Sequence, residues 1–353
     1  MRPILLVSAG LLVTALVAAG VTLAVLQLQS RTNTQQVNLR SGVTISEDSA
    51  IVQAAAKARP AVVSVVTQQQ PTLSRGSGYL ATTDGYIVTN IDVITGAGTM
   101  TVLVPGDPAA HDARLVDYDC QTGVAVIKID KVSGLPTLAF ADPTALVQGQ
   151  LIVAVGGPFE GGAVTPGYVS AMHQVVSIAN PSTALRSLEL SDTILTSSVI
   201  SAGTAGGPML NVGGQVIGIA MQSQPSTQTN GFGLNVADVQ DDVQQILQTG
   251  QVVVSSLGAT STDLSPELAS LSGLPVGSQL VSVDKGGPAA SAGLQAGDVI
   301  TQLDDVKLDA AHPLRLLLRS RFHPNQKVTV TYSRGGASNQ AQVTLTGQHP
   351  TCS

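Results

Sequence analysis

The sequence predicts a mainly β protein built from antiparallel barrels or a sandwich. About a dozen short apolar segments recur between turn signals over ~190 residues, with no amphipathic helices between them, which argues against a parallel sheet. Hydrophobic residues make up 43% of the chain and charged residues 11%, with 36 glycines and 18 prolines. This composition is turn-rich and too apolar for a disordered chain. Since there is no Trp, the core must consist of Val, Leu, Ile and Ala.

The N-terminal segment predicts a membrane helix and a tether. Residues 4–26 carry no charged side chain, and as a helix they would extend roughly 34 Å, enough to cross a hydrocarbon core. We expect an uncleaved signal anchor at 1–26; a cleaved signal peptide is the alternative, although its apolar part usually has about 7–15 residues. A polar linker at 27–48 follows. The expected location is the cell membrane, single-pass, with extracytoplasmic globular domains.

The globular region predicts strands between two helices. Alternating or continuous apolar runs between Gly, Asp and Asn turns mark the strands, and a short helix is expected at 49–58. A second helix at 237–248 carries Val239, Val243 and Ile246 on one face. The predicted strands are 61–67, 76–82, 85–90, 100–104, 113–119, 123–129, 150–156, 167–173, 194–198, 214–220 and 231–236.

Charge and cysteine content exclude several functions. The formal net charge is −6 and no Lys/Arg cluster occurs, so we expect no nucleic-acid partner. No Cys/His spacing matches a structural zinc site, and we expect no metal and no cofactor. Cys120 and Cys352 are the two cysteines. A disulfide between them is conceivable in an oxidising compartment, but two unpaired thiols are the expected state.

Three motifs resemble the HtrA/Deg family of envelope proteases. They are "GSGYLATTDGYIVTN" at 76–90, "LPTLAFADPTALVQGQLIVAVGGPF" at 135–159 and "AGGPMLNVGGQVIGIA" at 205–220. The resemblance extends with gaps from about residue 49 to about 346. It implies a trypsin-like double six-stranded β-barrel at 49–249 followed by a PDZ domain at 250–346 and a tail at 347–353.

The resemblance places the family's catalytic triad at positions that carry other residues here. The histidine, the aspartate and the nucleophilic serine correspond to Asp92, Gly123 and Ala205. Such a hydrolase needs a hydroxyl to attack, an imidazole to take its proton and a carboxylate to orient the imidazole. Asp119 could replace the aspartate, but it lies roughly 13 Å away along a strand. We therefore expect no catalytic residue at these positions and a chain that is not an enzyme.

The nucleophile loop has two further interpretations. Backbone amides of Gly203 and Ala205, with Thr204 between them, are expected to keep the oxyanion hole of the family, since backbone donors do not depend on side-chain identity. The alternative is that the glycines persist because the turn and barrel packing need them. A rerouted dyad would need one of five histidines beside a hydroxyl such as Ser201 or Ser197.

The C-terminal region resembles a PDZ domain, through "GLPVGSQLVSVDKGGPAASAGLQAGDVITQLDD" at 273–305. PDZ domains bind an extended C-terminal peptide as an added strand, with a loop of amides on its carboxylate. The resemblance places this loop at Leu257, Gly258 and Ala259. Leu314, Leu317 and Leu318 share one helical face; they line the groove or pack the domain core, and both roles remain open.

These expectations combine into a membrane-anchored HtrA-like pseudoprotease that binds peptides or serves as a regulatory scaffold in the cell envelope. Its expected partners are C-terminal peptides, unfolded envelope proteins and active HtrA-type homologues, and the resemblance implies a homotrimer. The alternative is an HtrA-type serine endopeptidase that acts in envelope protein quality control through an unconventional site.

Overall fold

Two closed β-barrels form the first part of the described chain. The computed structural model describes residues 47–69, 72–178, 188–222, 231–309 and 312–350. The first barrel has the strand order β1-β2-β3-β6-β5-β4. Its strands are β1 Val62–Gln69, β2 Thr72–Leu80, β3 Tyr86–Asn90, β4 Thr99–Leu103, β5 Ala110–Tyr118 and β6 Val124–Ile129. All pairs are antiparallel.

The second barrel repeats this architecture with the strand order β10-β11-β12-β9-β8-β7. Its strands are β7 Leu151–Val155, β8 Val164–Ile178, β9 Leu188–Thr196, β10 Pro208–Leu210, β11 Val216–Met221 and β12 Gly231–Asn235. Strand β10 was not predicted, because three residues directly after a Gly-Gly-Pro turn are too few to show a period. Every residue of β6 and β11 is buried, which explains why all of them except Lys128 are apolar.

Helices connect and cover the barrels. They are α1 Glu47–Ala58, the single turn α2 Ile91–Ile94 and α3 Val236–Thr249, with short 3-10 turns at Arg59–Ala61, Pro143–Ala145 and Pro158–Glu160. The Asn235 side chain accepts a hydrogen bond from the Ala237 amide at the start of α3, and Gly250 ends the helix at φ 82°. Both are standard helix-end signals, and they extend the predicted helix by one residue at each end.

The remaining residues form a PDZ-type domain. Its sheet has the order β14-β15-β16-β18-β19, with β17 paired to β16. The elements are β14 Ala259–Leu264, α4 Pro266–Ser272, β15 Gly277–Val283, α5 Pro288–Ser291, β16 Val299–Leu303, β17 Val306–Lys307, α6 Leu314–Ser320, β18 Lys327–Arg334 and β19 Ala337–Thr344. Two further strands, β13 Val254–Ser256 and β20 Thr346–Gln348, pair with each other.

The predicted fold class is confirmed, a mainly β protein with a double six-stranded barrel and a PDZ domain. One apolar cluster runs through both barrels, including Ile87, Leu190 and Leu234, and the PDZ domain has its own around Ile300. The predicted membrane helix at 4–26 and residues 27–46 of the predicted linker lie outside the described residues, whereas Glu47 and Asp48, predicted as the end of the linker, begin α1. Within the described ranges, no helix combines the length and apolarity needed to span a membrane. The domain boundaries remain a prediction.

Candidate functional site

The nucleophile loop packs tightly between the two barrels. Ala205, which the sequence resemblance places at the family's serine, is 4% exposed and belongs to an apolar cluster of the second barrel. Its carbonyl accepts a hydrogen bond from the Ser77 amide at 2.8 Å. Gly206 has φ +81°, and a Cβ there would lie 2.3 Å from the Ser77 carbonyl oxygen. Glycine is therefore required at 206 by the close approach of the barrels.

The predicted oxyanion amides are not both available. The Ala205 amide donates to the Ser201 carbonyl at 2.9 Å. The Gly203 carbonyl accepts from the Ser77 hydroxyl at 2.6 Å, and the Thr204 hydroxyl bonds within the same turn to the Ser201 carbonyl at 3.1 Å. An oxyanion hole needs both amides pointing at the ligand. The expected Gly203–Ala205 pair is corrected on this point, since the turn uses one of its donors internally.

Asp92 lies in α2, directly after the strand β3. The Asn90 side chain accepts a hydrogen bond from the Val93 amide at 3.0 Å, and this bond caps the start of α2. Burial raises the pKa of the Asp92 carboxyl above its ordinary value. No hydrogen bond joins this carboxylate to another described residue. A carboxylate is a poor base for a serine hydroxyl, because its pKa lies far from that of the hydroxyl, and its short arm cannot bridge a hydroxyl and a second carboxylate as imidazole does.

Gly123 has a backbone conformation that disfavours the family's aspartate. Its φ is +81°, and a Cβ would lie 3.0 Å from Leu190 Cδ2 and 3.3 Å from Leu234 Cδ2. Asp119 does not replace it. The buried Asp119 carboxylate accepts from the amides of Gln121 and Thr122 and from Arg319 Nη1 at 2.7 Å. It therefore faces the PDZ helix α6.

Four of the five histidines have carboxylate partners outside the cleft. His111 pairs with Asp107 at 2.9 Å and His173 with Asp192 at 2.6 Å. His312 pairs with Asp309 and His349 with Asp117. Across the described ranges, no histidine ring nitrogen lies within hydrogen-bonding distance of a serine or threonine hydroxyl. A rerouted dyad is therefore not formed among these residues.

The PDZ domain opens a cavity of about 610 Å³ between β14 and α6. Four of the six predicted groove residues line it, namely Leu257, Ala259, Leu314 and Leu318. Leu317 is buried in the PDZ core instead. Gly258 forms the turn at φ +65°, where a Cβ would lie 2.8 Å from Pro288 Cδ. The helix thus has both roles that its leucine spacing left open, since Leu314 lines the cavity and is also part of the core.

A buried ionic network joins the PDZ helix to the barrels. Arg319 on α6 contacts Asp119 and Asp242, whose side chains are 0% and 2% exposed. Thr122 donates to the other Asp242 oxygen at 2.5 Å. Beside it, burial raises the pKa of Asp238 to about 6, although Arg319 acts to lower it. We call Arg319, Asp119, Asp242 and Thr122 the interdomain seam. No local sequence signal marks the seam, because Arg319 and Asp119 are 200 residues apart.

The C-terminal segment also returns to the first barrel. His349 Nε2 lies 2.8 Å from Asp117 Oδ1, and the Cys120 amide donates to the Pro350 carbonyl at 3.1 Å. Cys120 is disulfide-bonded, so the expected unpaired thiol is wrong at this residue. The physical reason is local, because strand β20 carries the chain back to the Cys120 loop. Cys352 lies outside the described residues.

Comparisons with known proteins agree along the chain. Residues 76–219 match the trypsin-like peptidase domain family and residues 216–345 the PDZ domain family. A probable periplasmic serine endoprotease DegP-like of Halomonas elongata is 36% identical over 77% of this chain and 56% of its own length. The serine protease Do-like HtrA of Lactococcus lactis is 33% identical over 77% of this chain and 70% of its own length. The chain thus spans little more than half of the first relative.

Solved structures give the same result. The HtrA-type protease AlgW, solved with a decapeptide, has a TM-score of 0.69 and 27% identity, covering 85% of this chain and 99% of that one. A serine endoprotease from Yersinia pestis has a TM-score of 0.64 and 26% identity, covering 84% of this chain and 98% of that one.

These relatives overturn one expectation. Proteins that are 33–38% identical over most of the chain are named serine endoproteases, so the prediction that the chain is not an enzyme is contradicted. Some relatives are named as periplasmic, which agrees with extracytoplasmic domains. Barrel architecture, PDZ domain, motif order and identity all lead to the same assignment: the chain belongs to the HtrA family of trypsin-like, PDZ-containing serine proteases.

Proposed function

We propose that the PDZ domain recruits extended polypeptide C-termini for an HtrA-type protein of the cell envelope. One observation carries this proposal: the cavity is lined by an edge strand. Strand β14 pairs with β15 on one side and has no partner strand on its other side among the described residues. Its residues Ala259 to Asp263 face the cavity of about 610 Å³. An edge strand with free backbone groups accepts a peptide as an additional strand.

The ends of this groove give the bound peptide a direction. The turn at Leu257 to Ala259 precedes β14, and its amides are the candidates to hold a terminal carboxylate; in the unbound structure the Gly258 amide donates to the Ser256 hydroxyl at 3.0 Å, a bond that a carboxylate would have to replace. The apolar side chains Leu314 and Leu318 on α6 lie across from β14 and favour an apolar last residue. A peptide so bound runs antiparallel to β14, with its upstream residues toward Asp263.

Peptide titration of the full chain tests this function. Fluorescein-labelled decapeptides with apolar and polar last residues are titrated by fluorescence polarisation. Leu318→Glu places a charge in the groove, and we expect affinity to fall by about tenfold or more. Leu271→Glu, on the 86%-exposed face of α4 and outside the groove lining, is the matched control. Absence of saturable binding by any peptide, or equal affinity of both variants, overturns the proposal.

Endopeptidase activity is a second candidate, favoured by the relatives' names. Ala205 offers no nucleophilic atom, so cleavage has to use another hydroxyl. In the same turn, the Ser201 hydroxyl lies 3.2 Å from that of Thr204; Ser201 is exposed, whereas Thr204 is fully buried. A fluorophosphonate probe with adduct mapping, together with cleavage of unfolded casein, tests this candidate. An adduct on Ser201 that Ser201→Ala removes supports it. If protein free of contaminating protease gives no adduct and no cleavage, endopeptidase activity is rejected.

We also propose an envelope location through a membrane anchor at 4–26, assembly as a homotrimer and association with active HtrA-type homologues. Periplasmic relatives support the location, and family membership supports the assembly. Membrane fractionation with carbonate extraction tests the anchor, and mass photometry tests the trimer. Recovery of the chain in the carbonate-soluble fraction contradicts the anchor, and a monomeric mass contradicts the trimer.

A further inference from the structure

Few charged side chains surround the PDZ groove, and they differ in whether a neighbouring charge already compensates them. Three line the cavity: Asp263 on β14, and Arg315 and Arg319 on α6. Arg319 is the central cation of the interdomain seam, held between two buried carboxylates. Its charge is therefore already compensated. Asp263 and Arg315 are left to set the electrostatic preference of the groove.

Arg315 has no carboxylate partner in the part of the chain that the structure describes. Its one hydrogen bond there runs from Nη1 to the Gln121 carbonyl, at 3.4 Å, and no ion pair within 4.0 Å includes it. Asp238 interacts with it only at longer range. The contact with Gln121 holds the guanidinium at the barrel side of the cavity, because Gln121 and Arg315 both line it. Most of the guanidinium's five N–H donors remain for a ligand.

We propose that Arg315 makes the groove selective for peptides that carry an acidic side chain, Asp or Glu, upstream of their C-terminal carboxylate. This inference rests on the proposed peptide binding and specifies its ligand class. An arginine guanidinium matches a carboxylate in a bidentate, charge-assisted pair. Partial enclosure by the barrel and PDZ walls reduces solvent screening and strengthens such a pair.

Two features make the selectivity specific to one position. The chain carries a formal net charge of −6, which opposes the approach of acidic peptides in general. Asp263, within the same groove lining, repels an acidic side chain placed beside it. A preference for Glu must therefore come from the local field of Arg315. A peptide with a uniform run of acidic residues gains less binding affinity than a peptide with one well-placed carboxylate.

A charge scan on the full chain tests this inference. Decapeptides with one constant apolar C-terminal residue carry Glu, Gln or Lys at each upstream position in turn. We expect one position at which Glu binds about 5–20-fold more tightly than Gln in the unmodified protein. Arg315→Gln should abolish that difference while it keeps affinity for the Gln peptide, and Arg315→Glu should reverse the preference toward Lys.

Arg321→Gln is the matched control, since Arg321 is half-exposed, pairs with Asp305 and does not line the cavity. This variant should leave the Glu preference unchanged. A flat scan, or an equal loss of affinity for all peptides in Arg315→Gln, overturns the selectivity and leaves peptide binding standing. Absence of binding by every peptide, in contrast, overturns the proposed function and the inference together. Thermal unfolding of each variant establishes that it is folded.

Discussion

The cleft between the two barrels and the interdomain seam differ in how they use polar side chains. In the cleft, Asp92, Gly123 and Ala205 are the residues that the sequence resemblance predicts at the family's three reactive positions, and leucine methyl groups lie against position 123. In the seam, four residues away along the same loop, Asp119 is buried and ion-paired with Arg319 of the PDZ helix. The loop predicted to carry the family's triad aspartate thus contributes the Asp119 carboxylate to the contact with the PDZ helix.

This difference shows where the structure is intolerant of change. Burial of charge is costly unless the charges are paired and hydrogen-bonded, and the seam meets that condition through Arg319, Thr122 and two aspartates. The groove helix α6 bears Leu314 and Arg315 on the same short segment as Arg319. The seam thus fixes the position of α6 against the barrels, and the sharpest tests of this comparison remove one seam contact at a time.

Removal of Arg319 should have the largest effect. Arg319→Leu leaves the Asp119 and Asp242 carboxylates buried without their cation, and we expect a loss of about 3–5 kcal/mol in the free energy of unfolding. Urea titration followed by circular dichroism measures it. Arg321→Leu is the control, because the Arg321–Asp305 pair is exposed and should contribute less than about 1 kcal/mol. Equal effects of the two variants would show that the seam does not stabilise the fold.

Loss of the Cys120 disulfide should have the second-largest effect on the free energy of unfolding. Disulfides typically contribute about 2–4 kcal/mol, and this one lies where His349 and Pro350 contact the first barrel. We expect Cys120→Ser to lower the unfolding midpoint, and dithiothreitol to lower it in the unmodified protein but not in the variant. Non-reducing peptide mapping identifies the partner cysteine, for which Cys352 is the candidate in the sequence. A variant as stable as the unmodified protein contradicts this expectation.

Asp238 gives a pH-dependent test of the same seam. Its pKa is raised from 3.8 to about 6, mainly by burial, so the folded state binds this proton more tightly than the unfolded state. The resulting stabilisation is complete below about pH 4 and is lost as the pH rises through about 6. Asp238→Asn should therefore be more stable than the unmodified protein at pH 7.5, by up to about 3 kcal/mol, with the difference vanishing near pH 4.

Urea titrations at pH 4, 6 and 7.5 measure this profile. Asp305→Asn, which removes an exposed carboxylate paired with Arg321, is the control and should show no gain at pH 7.5. If Asp238→Asn is instead less stable at pH 7.5, then Asp238 is an ionised partner of Arg319, and its pKa is not raised in the folded state.

The sequence predicted what depends on local pattern and missed what depends on distant contacts. Apolar runs between turns predicted antiparallel barrels or a sandwich, the family resemblance specified two barrels, and the spacing of Val239, Val243 and Ile246 predicted α3 almost to its ends. The seam could not be predicted, since an arginine on a helix has the same local pattern whether it is solvated or paired 200 residues away. The internally bonded Ala205 amide was missed for a similar reason, because the residue pattern does not specify the direction of a peptide group.

Position 123 should give the smallest effect and the closest test of the cleft. Gly123→Asp introduces the family's residue where φ is +81° and a Cβ lies 3.0 Å from Leu190 Cδ2. Gly134→Asp is a matched control, since Gly134 has φ +69° with nothing within 4 Å of an added Cβ. Both variants carry the strain of a positive φ, so their difference isolates crowding by the leucines. We expect Gly123→Asp to be less stable than Gly134→Asp by about 1–2 kcal/mol in urea titrations. Equal stability would mean that the leucines yield and that the cleft still has room for the aspartate.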